Sequence, residues 1–296
     1  RALPSFSTTK HACLYLVTFI SSLYSYNKRV KIENFQQELY ERASGLYRDM
    51  PWRDDTRPYY VLVSELMLQQ TQVARVVPKF EAFISRFPNE KILAQASLAD
   101  VLGMWQGLGY NRRAKYLHDT AKIIVNELGG VFPDSAQELI KLPGIGKNTA
   151  GAILAYSFNQ PALFIETNVR TVYLHHFYDD QFDVTDKQLL EKLDETIDTE
   201  NPRGFYQALM DYGSWLKANG VNNISNSKHY KKQSPLKGSV REVRGQLLSL
   251  LTTEGTQSLA GLQQLYKTDS RLNLALQGLE KDGLVSVKEG KLYLTK

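Results

Sequence analysis

The sequence predicts a mainly α-helical protein with a small C-terminal segment that combines helices with a β-hairpin. Three observations carry this. From about Ile32 to Leu216 apolar residues recur at helical spacing, and no alternating strand pattern interrupts them. A tight turn with two glycines, LPGIGKNT at 142–149, joins two of the helical stretches. From Val240 onward, three short helical patterns precede an alternating stretch that turns at Glu289-Gly290.

Taken in order, residues 1–31 read as an N-terminal extension. Its apolar run, HACLYLVTFISSLY, falls short of the roughly 20 residues a bilayer requires. A secretory signal stays open, although no small-x-small cleavage pattern follows the run. IENFQQELYERASGLYR at 32–48 carries a helical stripe, PWRDDTRPYY at 51–60 reads as a loop, and VLVSELMLQQ at 61–70 as a buried helix. Thr71 is expected to cap the next helix, over 72–87. Two more helices, within 97–110 and 112–128, meet at a glycine-containing turn, and the stretch 138–154 is a helix, the LPGIG turn and a second helix. TDKQLLEKLDETI opens on a capping box, Thr185 with Gln188 three positions on. The expected organisation is a helical domain over 32–216, a basic linker over 217–239 and a winged-helix-like domain over 240–296.

The bulk properties leave many function classes open and close a few. The chain has 296 residues, 43% of them hydrophobic, and a formal net charge of +5, which permits an anionic partner without demanding one. Cys13 is the single cysteine, so no disulfide and no multi-cysteine metal site forms within the chain. The histidines (His11, His118, His175, His176, His229) lack metal-ligand spacing, and no metal is expected.

The glycine turn suggests a chemistry. Gly144 and Gly146 are expected to adopt backbone angles that a Cβ forbids. A helix starting near Asn148 then aims the N–H groups of Ile145, Gly146 and their neighbours outward as an anion cradle, with Lys147 adding a point charge. Such a cradle suits a phosphate, and it positions a nucleic acid without reading its bases. An ordinary helix–helix corner has the same outline.

Five motifs in order turn this suggestion into a resemblance: PWR, VSELMLQQTQV, WQGLGYNRRAKYLH, LPGIGKNTAGAIL and FIETNVRTV. Together, over roughly residues 33–215, they resemble the helix-hairpin-helix DNA glycosylase superfamily, and within it the adenine DNA glycosylases most closely. The resemblance implies that fold, and a monomer acting on double-stranded DNA that holds a mismatched or damaged base. It implies no membrane attachment, and a cytoplasmic, nucleoid-associated location. The implied activity is base excision repair by removal of a mispaired base, adenine opposite 8-oxoguanine or G first.

Cleaving an N-glycosidic bond builds positive charge on the sugar and negative charge on the departing base, so the site needs an acid near the base and an anion near the sugar. Glu65 lies in an apolar helix, where a carboxyl is either desolvated, which keeps it protonated as a general acid requires, or paired with an arginine. It also matches the glutamate that has this role in the family. Glu166 stands where the family normally carries an aspartate that stabilises the sugar cation, and it is one methylene longer. Asn168 matches an asparagine that orients a carboxylate or water. Bifunctional relatives carry a lysine at the position of Asn148, so base removal without lyase chemistry is implied.

The resemblance assigns DNA contact to Gln69 and Gln70 at a helix end, to Tyr110 as an aromatic wedge, and to Gly144, Ile145, Gly146, Lys147, Asn148 and Thr149 in the hairpin. Trp52 and Arg53 match a segment lining the base pocket. Most adenine glycosylases hold an iron–sulfur cluster on four cysteines after a stretch like MDYG; MDYGSWLKANGVNN has none, so no cofactor is expected. Lys217, Lys228, Lys231, Lys232 and Lys237 then supply DNA contact by plain charge, or belong to a solvated linker. The C-terminal domain is expected to contact phosphates through Arg271, Lys281, Lys288 and Lys291, so truncation after Leu236 should weaken binding and spare excision. Two other readings stay open: a mismatch thymine or uracil glycosylase, and a catalytically silent DNA-structure binder.

Overall fold

A computed structural model describes residues 34–179, 181–221, 223–228, 234–267 and 269–295. The expected N-terminal extension, with His11 and Cys13, lies outside the described residues, as do His229, Lys231 and Lys232. The described residues form two compact units: those within 34–48 and 165–228, and those within 49–164 and 234–295.

Helix α1 runs through 34–43. It is followed by α2 (Pro51–Asp54), α3 (Pro58–Leu68), α4 (Val73–Arg86), α5 (Glu90–Gln95), α6 (Leu98–Trp105), α7 (Arg112–Asn126), α8 (Ala136–Leu139) and α9 (Lys147–Phe158). Then come α10 (Thr167–Phe177), α11 (Asp186–Thr196), α12 (Pro202–Ala218) and α13 (Val240–Thr253). Strand β1 (Gln257–Ser258), α14 (Leu259–Tyr266), α15 (Arg271–Lys281), β2 (Val285–Lys288) and β3 (Lys291–Leu294) complete the order. The mainly helical expectation holds.

Two local expectations are corrected. Residues 51–60 are not a loop: Pro51 and Pro58 each open a helix. Proline suits that position, because its φ is already helical and the N–H it lacks has no intrahelical partner there. Thr71 does not cap α4; Gln72 stands at the N-cap position and makes no side-chain capping bond. Gln70 turns through a left-handed conformation (φ 56°), which redirects the chain and leaves the Thr71 hydroxyl facing Leu108 O at 3.4 Å. The capping box of α11 forms as expected, with both reciprocal bonds between Thr185 and Gln188.

The unit containing α2–α9 is organised around α3. Tyr59, Val61, Leu62, Val63, Leu66 and Met67 are all buried, so the helix is apolar nearly all round and runs through the core. Phe80, Phe83, Phe87 and Trp105 pack in the same core. So do Val243, Leu247, Leu248 and Leu251 of α13 and Leu272, Ala275 and Leu279 of α15. Polar bonds reinforce the seam: Gln106 Nε2 donates to Thr252 Oγ1 at 2.6 Å, and Asp282 accepts from both Arg112 and Arg244. Truncation after Leu236 would therefore strip part of this core instead of detaching an accessory, and a loss of stability is expected with it.

In the C-terminal segment, β2 and β3 pair antiparallel with Lys288 opposite Lys291. Glu289 (φ 49°) and Gly290 (φ 71°) make the two-residue turn, and left-handed angles at both positions match the right-handed twist of the strands. Strand β1 adds to the other side of β3, giving the order β1-β3-β2. Two residues are too few to leave an alternating pattern in the sequence. Arg271, an expected phosphate contact, is ion-paired with Asp269 at 2.6 Å and Glu242 at 3.1 Å. Lys281, Lys288 and Lys291 are exposed.

Candidate functional site

The C-terminal end of α3 is where several expected residues gather. Glu65 is half-buried, and its backbone carbonyl accepts from Gln69 N–H at 3.2 Å, so the two residues share one helix face. Gln69 is half-buried, and Gln70, in its left-handed turn, is exposed.

A residue that the sequence reading missed holds this end in place. Arg113 of α7 is 6% exposed. Its guanidinium donates to the carbonyls of Met67 at 3.0 Å and Gln69 at 2.7 Å, and to those of Leu108 at 3.1 Å and Gly109 at 2.9 Å. It also donates to Leu66 O and, at 3.2 Å, to Thr71 Oγ1. The guanidinium thus satisfies the last carbonyls of α3, at the negative end of that helix's dipole, and fastens them to the α6–α7 turn. Burial pushes its pKa down to about 10, which still leaves it charged at neutral pH. Tyr110 ends that turn with φ 48°, half-buried.

The hairpin between α8 and α9 is anchored from below. Leu142 and Ile145 are buried, and Thr120 Oγ1 donates to Pro143 O at 3.0 Å. Gly144 has φ 75°, and a Cβ there would come within 2.7 Å of Tyr116. Two details of the expected cradle change. Gly146 has an ordinary φ of −90°, and a Cβ there would meet nothing within 4 Å, so the fold itself does not require that glycine. The Ile145 N–H is taken by Leu142 O at 3.2 Å, closing the turn. The outward donors lie further on, because the first intrahelical bond of α9 is Ala150 N–H to Gly146 O at 2.9 Å. Lys147 and Asn148 are exposed beside them. Thr149 is buried, and its Oγ1 accepts from Gln69 Nε2 at 3.4 Å, so the hairpin and the end of α3 meet directly.

Trp52 is a core residue, 8% exposed and packed edge-on against Phe80 with ring centroids 5.2 Å apart. Arg53 beside it is half-exposed.

Glu166 and Asn168 belong to the other unit. Glu166 is the N-cap of α10, and its carbonyl accepts from Arg170 N–H at 2.9 Å. Asn168 Nδ2 lies 3.5 Å from Met210 Sδ, and its buried Oδ1 has no hydrogen-bond partner among the described residues. Helix α12 supports this end closely. A Cβ on Gly213 would lie 2.5 Å from Asn168 O, which explains the glycine in MDYG. The adjacent Asp211 is buried and paired with Arg48 at 2.6 Å. Gly213→Ala is expected to cost about 1–3 kcal/mol, as overpacking of a tight contact does. Gly245→Ala on α13, where a Cβ meets open space, should instead stabilise by up to about 1 kcal/mol. Urea unfolding of the two variants against the wild type checks both signs.

Among the described residues no cluster of His, Cys, Asp or Glu is arranged to hold a metal ion, and no helix is long and apolar enough to cross a membrane.

Two helices joined by this anchored hairpin define a class, and comparison with known proteins gives it a name. The family described as HhH-GPD superfamily base excision DNA repair protein matches residues 63–198, and the chain belongs to it. The adenine DNA glycosylase of Mycobacterium tuberculosis is 32% identical over 269 residues, covering 83% of this chain and 88% of that protein. The adenine DNA glycosylase of Buchnera aphidicola is 40% identical over 183 residues, covering 60% of this chain and 51% of that one. The chain thus spans about half the length of the first curated relatives it matches. Among solved structures, a thermostable thymine-DNA glycosylase aligns with a TM-score of 0.56 at 24% identity, over 63% of this chain and 87% of that one, a likeness of fold.

Proposed function

We propose that the chain is a monofunctional DNA glycosylase that removes mispaired adenine, opposite 8-oxoguanine or G, from duplex DNA in base excision repair. The observation that carries this reading is the cluster at the end of α3. Glu65 stands one helical turn before Gln69, and Gln69 meets Thr149 at the start of the hairpin helix. A proton donor, an amide at a helix end and a backbone-binding hairpin thereby belong to one compact unit. Relatives named adenine DNA glycosylase support the choice of base.

In this mechanism the hairpin holds a phosphate through the first amides of α9 and Lys147. Extrusion of the base costs a few kcal/mol, and Gln69, Gln70 and Tyr110 fill the gap. Glu65 protonates a ring nitrogen of the adenine and so makes it a better leaving group. The Glu166 carboxylate, at the N-terminus of α10, stabilises the positive sugar, and Asn168 orients the carboxylate or the attacking water. The iron–sulfur cluster of most adenine glycosylases does not fit this chain, because Cys13 is its only cysteine, and no step runs through such a group.

The test is a panel of duplexes bearing A opposite 8-oxoguanine, A opposite G, and T or U opposite G, with alkali revealing abasic sites. Excision of A supports the reading. Excision of T or U alone assigns the chain to mismatch pyrimidine repair, and no excision on any duplex leaves it a DNA-structure binder.

With Asn148 at the position of the lyase lysine, strand breaks should form only after alkali, and borohydride should trap no covalent complex. Asn148→Lys is expected to introduce weak, borohydride-trappable lyase activity. A trapped adduct in the wild type would show that a lysine such as Lys147 acts as nucleophile.

A further inference from the structure

Tyr110 stands where the C-terminal segment meets the excision helices. Its left-handed backbone (φ 48°) is a conformation that a bulky residue keeps only when its surroundings hold it. Two guanidiniums do so. Arg113, fastened to the end of α3, lies 5.6 Å from the centroid of the Tyr110 ring. Arg241, the second residue of α13, lies 5.1 Å from the same centroid, and its Nη1 donates to the Tyr110 hydroxyl. Arg241 is itself fixed, because its Nη2 donates to Ser234 O at 2.6 Å. Helix α13 is seated in the common core, and through Thr252 it also grips Gln106 at the start of the same turn. The α6–α7 turn is therefore held at both ends by one C-terminal helix.

We propose that Arg241 is a positioning residue for base extrusion: it holds Tyr110 ready to enter the base stack as the target base leaves. The C-terminal segment then acts through the excision site, not only as an extra contact with DNA. This role rests on the reading of Tyr110 as the residue that fills the gap. Arginine suits the task because its planar fork stacks on an aromatic ring and donates to two acceptors at once, which a lysine does only in part.

The test uses the full chain as wild type, Arg241→Ala, Arg241→Lys, Tyr110→Ala and the double alanine variant. Three quantities are measured: single-turnover excision of adenine opposite 8-oxoguanine at saturating protein, fluorescence of 2-aminopurine beside the target base as a reporter of extrusion, and Kd for an undamaged duplex. Arg241→Ala is expected to slow excision by about tenfold and to blunt the fluorescence rise, with Kd changed less than about twofold. Arg241→Lys should recover part of the rate. In the Tyr110→Ala background, removing Arg241 should slow excision no further.

Wild-type rate in Arg241→Ala beside a slow Tyr110→Ala overturns the proposal, and so does additive slowing in the double variant. Loss of undamaged-duplex binding in step with the rate also overturns it, since that marks a general fault in the fold. A wild-type rate in Tyr110→Ala overturns the wedge reading itself, and the role of Arg241 falls with it.

Discussion

Glu65→Gln is expected to bind duplex DNA as the wild type does and to excise almost nothing. Glutamine keeps the shape and the hydrogen-bonding reach of the side chain but has no acidic proton to give. General acid catalysis is worth about 10²–10⁴-fold, and the single-turnover rate should fall within that range. Glu65 lies on a helix buried nearly all round, so the substitution has little room to act through a changed backbone. Because the hairpin helix contacts α3 through Gln69 and Thr149, which the substitution leaves intact, Kd should stay within about twofold. Wild-type turnover in this variant would remove Glu65 from the acid's role.

The second large effect is on stability. Arg113→Met keeps much of the side-chain volume and removes every donor. The carbonyls of Met67, Gln69, Leu108 and Gly109 then lose their shared partner inside the protein. An unsatisfied buried carbonyl costs about 1–3 kcal/mol, and partial relaxation should hold the total near 3–5 kcal/mol. That corresponds to a fall in Tm of roughly 10 °C, read by thermal unfolding. The turns carrying Gln70 and Tyr110 should loosen together, so excision should fall further than stability alone explains. Arg113→Lys should recover little, because an ammonium cannot bridge two turns with a planar fork. A melting temperature within about 2 °C of the wild type would show that the turns stand without it.

Much of this molecule could be read along the chain. Helical spacing located the long helices, the capping box at Thr185 and Gln188 formed as expected, and the Glu289-Gly290 turn fixed the hairpin register. Those signals are local, each settled within a few residues. What escaped the reading depends on partners far away in sequence. Arg113 looks like any charge on an amphipathic helix until α3 and the α6–α7 turn bring six acceptors around it. Arg271 looks like a free cation on the third helix of the C-terminal segment until Asp269 and Glu242 pair with it. The two hairpin glycines look equivalent, yet only Gly144 has a left-handed angle and a neighbour, Tyr116, that a Cβ would strike. Gly213 carries no signal of its own in the sequence, because its reason is the backbone of Asn168 on another helix. Thr71 looks like a cap in the sequence, but the left-handed turn at Gln70 shifts the N-cap to Gln72.

Removal of adenine as a free base, the activity proposed for this chain, is read from the identity of what leaves the DNA. Duplex carrying a single A opposite 8-oxoguanine should be incubated with excess wild-type protein, and the released material separated and identified by mass. Free adenine, equal in amount to the abasic sites formed and absent with Glu65→Gln, is the expected result. Release of thymine or uracil from G-mismatched duplexes with no free adenine from any duplex would contradict it.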